Sequence, residues 1–186
     1  FKAGDSPVTA TTTTLDVRDA DGDTVHFKLD SPGSTGFSAA DDGNGGILLT
    51  VVCFCAGTRI LTPAGEVPVE TLSHGDQVVT ASGAVRTLVW IGTGRVMVTR
   101  GRRSAATPVI VCKGALTDNV PNRDLRITKG HSLLIDGALI PVEFLVNHRS
   151  IRWDDHAQEV TIYHLELETH DVLVANGAPA ESYRDD

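Results

Sequence analysis

Several absences bound this chain before any motif is considered. Its 186 residues hold no apolar run long enough to cross a membrane as a helix. The longest, Ile47 to Gly57, is 11 residues and is broken by Thr50, against the ~20 that a span requires. That run also lies too far from the start to be a secretory signal. Positive charge is not in surplus: 16 Lys and Arg face 24 Asp and Glu, a net charge of −8. A phosphate-binding surface needs the reverse, which argues against nucleic acid as a partner. Three cysteines, Cys53, Cys55 and Cys112, are too few and odd in number for a disulfide scaffold. At least one thiol is left over. No CxxC pair and no HExxH occurs, so a zinc site drawn from Cys53, Cys55, His164 and His170 matches no common module.

What remains is ordinary globular material. The chain is 41% hydrophobic, and its 18 glycines bring the apolar share to about half. The length suits one domain, or one domain with a smaller appendage. The first residue is Phe1 rather than Met, as expected of a fragment or a processed product. Charge is uneven. Residues 1–52 carry eight Asp, no Glu and three basic residues, whereas residues 53–186 carry 16 acidic and 13 basic ones.

The pattern is β throughout. In the first segment Thr11 to Thr14 is a β-branched run, and Val25, Phe27 and Leu29 alternate with polar neighbours. Between them Asp19, Asp21 and Asp23 surround a glycine. Such carboxylates can converge on Ca²⁺, but with no bidentate Glu nearby a solvated hairpin turn is the favoured reading. The run Ile47 to Val52 leads into Cys53. Beyond it, short strands are expected at 77–80, 85–91, 96–99, 109–111, 125–128, 133–135, 139–141, 160–167 and 171–174, with turns between most of them. Only 141–147 reads as a helical turn or two. The fold class is therefore all-β, of many short strands. Cys112 is expected as a buried strand residue, and Asp154 to His156 as an exposed loop.

The chemistry concentrates at Cys53-Phe54-Cys55-Ala56-Gly57-Thr58-Arg59-Ile60 and, much later, at Thr128-Lys129-Gly130-His131. A cysteine with a histidine distant in sequence is the minimum for thiol catalysis, because the imidazole moves protons while sulfur attacks. Taken alone, such a pair more often belongs to packing. The combination is more specific. Cys-Phe-x-x-Gly-Thr-x-Ile, Val67-Pro68-Val69-Glu70 with Gly75-Asp76, Thr-x-x-His, the stretch Tyr163 to Asp171, and Asn176-Gly177 stand in an order that resembles the Hint superfamily. That superfamily holds inteins, hedgehog autoprocessing domains and bacterial intein-like domains. The likeness is nearest to the stand-alone bacterial type, and it covers 53 to about 183.

The resemblance implies a horseshoe-like Hint fold over 53–186, preceded by an N-terminal passenger of β segments over 1–52. It also implies roles. Cys53 would attack the carbonyl of Val52, converting the Val52–Cys53 amide to a thioester. His131 would protonate the departing nitrogen, and Thr128 would hold that histidine or amide. His164 stands where many relatives carry an aspartate that assists the first step, and His170 matches a histidine near the C-terminal junction. No cofactor is implied. The substrate would be the chain's own N-terminal segment, and water or an external nucleophile would accept the acyl group, in a monomer. Cys55 is a candidate redox modulator of Cys53, although simple packing is the favoured reading.

Departures from the pattern limit the reading. Inteins end in an asparagine that cyclises; here Ser182 holds that position, between Glu181 and Tyr183. Full splicing is therefore not expected. The β-branched Val52 hinders attack, and the intact junction predicts a slow or triggered reaction. Two rival classes stay open: a thiol protease acting in trans, and an inactive adhesion module whose Asp- and Thr-rich start is the tail of a bacterial surface repeat. That start also leads one to expect an exported or cell-surface protein.

Overall fold

The computed structural model describes residues 52–98, 103 and 107–183, together with the strand backbones 14–18, 24–28, 38–41 and 47–50. The Asp19–Asp23 turn and the run 11–13 lie outside the described residues. Two hairpins come first. β1 (Thr14–Arg18) pairs with β2 (Thr24–Lys28), and β3 (Ser38–Asp41) pairs with β4 (Ile47–Thr50), both antiparallel.

Thirteen further strands follow: β5 (Phe54–Cys55), β6 (Arg59–Thr62), β7 (Gly65–Pro68), β8 (Gln77–Val79), β9 (Val85–Met97), β10 (Pro108–Val111), β11 (Leu125–Thr128), β12 (Ser132–Ile135), β13 (Ala138–Pro141), β14 (Ile151–Trp153), β15 (Glu159–Leu167), β16 (Val172–Ala175) and β17 (Ala178–Glu181). Two short 3₁₀ turns, Val69–Thr71 and Val142–Leu145, are the helical elements among the described residues. The strands form a seven-stranded sheet in the order β14-β10-β11-β5-β15-β9-β8 and a six-stranded sheet in the order β13-β12-β17-β16-β6-β7. The fold is all-β and antiparallel.

The chain passes between the sheets at two places that matter later. β11 belongs to the first sheet and β12 to the second, and the link is the four-residue turn Thr128–His131, closed by the His131 N–H on the Thr128 carbonyl at 3.0 Å. β15 and β16 make the second crossing. In the second sheet, β16 and β17 are joined by Asn176-Gly177, with φ of 49° and 78°. Asn-Gly is what a two-residue hairpin needs when both central residues are left-handed. The Asn176 side chain also accepts from Arg59 N at 2.7 Å and donates to the Asp124 carbonyl at 2.9 Å. The hairpin that ends at Glu181 is thereby anchored to both sheets.

One core serves both layers. Phe54, Ile60, Leu88, Leu125, Ile127, Leu133, Leu165 and Leu173 are its large, fully enclosed members. Removing solvent from such side chains, at about 1.5–3 kcal/mol each, is the main drive for closing the sheets on one another.

Three expectations are corrected. The strands expected at 85–91 and 96–99 are one continuous strand, β9, because β15 pairs with it from Glu159↔Met97 to Leu167↔Leu88 and carries it through Gly92 and Gly94. Cys112 lies just past the end of β10 and is half-buried, since the chain turns there into a loop. Asp154 is not an exposed loop residue; it is drawn inward by an ion pair with Arg126 at 2.5 Å.

Candidate active site

Cys53 immediately precedes β5, which is wedged between β11 and β15. Because Ile127 lies opposite Phe54, Thr128 falls beside Cys53. The two residues bond in both directions. The Cys53 N–H donates to Thr128 Oγ1 at 3.1 Å, and the Thr128 N–H donates to the Cys53 carbonyl at 3.1 Å. The nitrogen held by that hydroxyl is the nitrogen of the Val52–Cys53 peptide. Cys53, Thr128 and His131 are all fully buried.

The other flank of β5 supplies a base. Tyr163 lies opposite Phe54 in β15, which brings the next residue, His164, to the sulfur. Cys53 Sγ lies 3.1 Å from His164 Nε2 and 3.5 Å from Nδ1. Burial and the neighbouring Cys55 hold the Cys53 thiol well above its ordinary pKa, against a smaller lowering by the Thr128 hydrogen bond. The sulfur is therefore protonated at rest, and its S–H donates to the imidazole. Burial, with the facing His131 adding to it, pushes His164 down to about 4, while the Val52 backbone opposes the shift. A neutral ring able to accept a proton is the result across the whole physiological range.

Three residues that sequence reasoning passed over shape this site. The ring of Tyr183 meets His164 edge-on with centroids 5.2 Å apart, and Trp90 lies 6.0 Å from His164 and 5.6 Å from Tyr183. Gly92 sits opposite His164 in the β9–β15 ladder, and a Cβ there would collide with the Trp90 indole. A glycine in a long strand that also carries a tryptophan two residues away was the available signal.

His131 occupies the end of its turn, with its ring 4.4 Å from Phe54. Nε2 donates to the Glu181 carbonyl at 3.1 Å. Nδ1, on the opposite edge, is buried without a hydrogen-bond partner among the described residues. Burial lowers the pKa of His131; the Glu181 charge and the backbone carbonyls of Cys53 and Glu181 partly offset this. An orphaned buried nitrogen costs about 1–3 kcal/mol, so it marks a group poised for something other than stability.

The remaining sequence candidates fall elsewhere. His170 is in the turn after β15, with Nε2 3.7 Å from Glu181 Oε2. Cys55 is buried in β5, opposite Ile162, with its thiol pushed up to about 12 by burial; neither it nor Cys53 is in a disulfide. Ser182 is buried, its N–H on the Asp171 carbonyl at 2.8 Å and its Oγ accepting from Asp171 N at 3.1 Å. Among the described residues, no three His, Cys, Asp or Glu are grouped to hold a metal ion.

Two interlocked antiparallel sheets with a cysteine entering between Thr-x-x-His and a central long strand define the Hint class of β domains. The chain belongs to the Hint domain family, whose sequence profile matches residues 52–186. Solved structures agree on the fold. The bacterial intein-like domain from Clostridium thermocellum superposes with a TM-score of 0.53 at 15% identity, covering 73% of this chain and 100% of that one. The gp41-1 intein superposes with a TM-score of 0.50 at 10% identity, covering 69% of this chain and 96% of the intein. No curated protein matches the chain.

Proposed function

We propose that this domain cuts its own chain once, in cis, at Val52–Cys53. The observation that carries the reading is that both reacting ends of one residue are engaged. The Cys53 amide N–H is held by Thr128 Oγ1 at 3.1 Å, while its sulfur is bonded to His164 Nε2, also at 3.1 Å. A merely structural cysteine needs neither.

An amide resists a neutral thiol, so sulfur must lose a proton as nitrogen gains one. In this reading His164 Nε2 takes the proton from Sγ as sulfur bonds to the Val52 carbonyl carbon. His131, charged at that moment, gives its Nδ1 proton to the Cys53 nitrogen as the carbon–nitrogen bond breaks. The products are a Val52 thioester and a free Cys53 amine, and the His164 proton returns to His131 or to solvent. Thr128 fixes the amide so that its nitrogen cannot turn away from the donor. Water or another nucleophile then releases residues 1–52 from the thioester. Splicing is not part of the proposal, because the Ser182 hydroxyl has no nitrogen with which to form a succinimide.

Modulation of the thiol by Cys55 would need a disulfide, but an extended i, i+2 pair spans about 6.6 Å between Cα atoms, near the upper limit for one. Oxidation would have to bend the strand.

The test is intact mass spectrometry of the purified chain over time, with and without dithiothreitol, beside Cys53→Ala. A fragment ending at Val52, formed faster with thiol, first-order at every protein concentration and absent from the variant, is expected. Dependence of the rate on concentration would indicate a protease acting in trans. A chain that stays whole in thiol at every pH overturns the proposal and favours an inactive structural module.

A further inference from the structure

Glu181 is the residue whose placement the cleavage reading does not require, yet it meets His131 through both its backbone and its charge. It closes β17, anchored through the Asn176-Gly177 hairpin. Its carbonyl accepts from His131 Nε2 at 3.1 Å. Its carboxylate is pinned by one hydrogen bond, Oε1 accepting the Ser132 N–H at 2.5 Å, and Oε2 lies 3.7 Å from His170 Nε2. Ser132 directly follows His131, so the carboxylate and the imidazole are locked to the same stretch of backbone. A surface glutamate used for solubility would not be held this way; its side chain is only 13% exposed.

We propose that Glu181 is the positioning residue for His131: its carbonyl sets which nitrogen faces the scissile amide, and its pinned carboxylate supplies the charge that lets the buried ring hold a proton. The inference rests on the proposed cleavage, in which only a charged His131 has a proton on Nδ1 to give. A carbonyl can only accept, so Nε2 must carry hydrogen in every state, and the exchangeable proton belongs to Nδ1. Among the described residues, Nδ1 is the nitrogen left without a partner.

The charges around the ring leave this task to Glu181. From β15 the neutral His164 faces it and, once protonated, opposes a second positive charge. From its own turn comes Lys129, whose charge is paired with Glu143 of the adjoining 3₁₀ turn at 3.7 Å. From β5 come Phe54, which is uncharged, and the protonated Cys53 thiol. Glu181 is the carboxylate whose charge favours His131⁺ against its burial.

The experiment reads His131 directly by NMR titration of histidine-labelled full chain in the Cys53→Ala background, which cannot cleave. Glu181→Gln keeps an oxygen for Ser132 and the backbone carbonyl for Nε2 while removing the charge. The expected result is an unchanged Nε2–H tautomer and a His131 pKa lower by about one pH unit, with Glu181→Asp lying between Gln and wild type. In matched chains retaining Cys53, the high-pH limb of the cleavage profile moves down by the same amount, making Glu181→Gln about tenfold slower above the His131 pKa. An unchanged His131 pKa in Glu181→Gln, or identical behaviour of Asp and Gln, overturns the inference. If wild type fails to cleave at every pH, the cleavage reading falls, while the titration still decides the role of Glu181.

Discussion

The chain passes through the same small region twice, once at Val52–Cys53 and once at Glu181–Ser182–Tyr183, and the two passages are built differently. At the first, each polar group meets a partner that can move a proton: sulfur meets His164, and the amide meets Thr128, with the open Nδ1 of His131 buried in the same region. At the second, Ser182 and the Tyr183 N–H are spent on holding the backbone. Ser182 exchanges hydrogen bonds with Asp171, and the Tyr183 N–H closes on the Leu165 carbonyl at 2.7 Å. Being near a reactive centre does not make a segment reactive; a bond is labile only where its neighbours can take and give protons. The second passage instead supports the first, because its Glu181 carbonyl and its Tyr183 ring contact the two histidines.

This contrast can be broken from either side. The largest effect should come from His131→Gln, which keeps most of the volume but has no proton to donate. Fragment formation should slow by about 10²–10⁴-fold, with the far-ultraviolet circular dichroism of the folded chain unchanged. A rate within a factor of ~3 of wild type would remove the general acid from the mechanism.

The next effect concerns the cost of burying that chemistry. His164 is held neutral at about 4, below the 6.5 of a free histidine. In the window between those values the unfolded chain binds the proton and the folded one does not. Stability is therefore fully present above pH 6.5 and is lost as pH falls towards 4. For His164 alone the loss is roughly 3 kcal/mol, and His131, lowered for the same reason, adds to it in the same direction. Urea unfolding of Cys53→Ala across this range should show midpoints falling steadily with acid, and His164→Phe should flatten the slope. Equal slopes in the two chains would mean that the ring is not buried neutral.

The smallest effect is expected at the second passage. Ser182→Ala leaves the Asp171 N–H without its partner, at a stability cost of about 1–2 kcal/mol. The cleavage rate should stay within a factor of ~2. A much larger rate loss would show that the two passages are not separate in function.

Much of the strand content was readable in the chain, since alternation and turn residues mark β11, β13 and β15 to within a residue. The stretches that escaped are short or poorly patterned. β5 has two residues and no alternation to detect, and β9 looks like two strands because its glycines are turn residues in any local reading. Its continuity comes from β15, about 70 residues on, pairing across them. The site divided along the same line. Cys53, Thr128, His131 and His164 were recognisable by residue type and order, and the turn Thr128–His131 follows from spacing alone. Trp90 and Gly92 offered only their two-residue spacing as a signal, and Tyr183 and Glu181 carried none, because they matter through neighbours far away in sequence.

Residue type and order alone settled that this is an all-β chain, and they singled out Cys53, Thr128, His131 and His164 as the candidate site. Those are properties of side-chain chemistry and of local backbone preference, which need no partner to exist. Which histidine touches sulfur, which nitrogen of His131 is left open, and which carboxylate stands behind it were decided when two sheets closed on a shared core. Hydrogen bonds and burial act over a few ångströms, and only the folded chain brings residue 53 within that reach of 128 and 164, and residue 131 within that reach of 181.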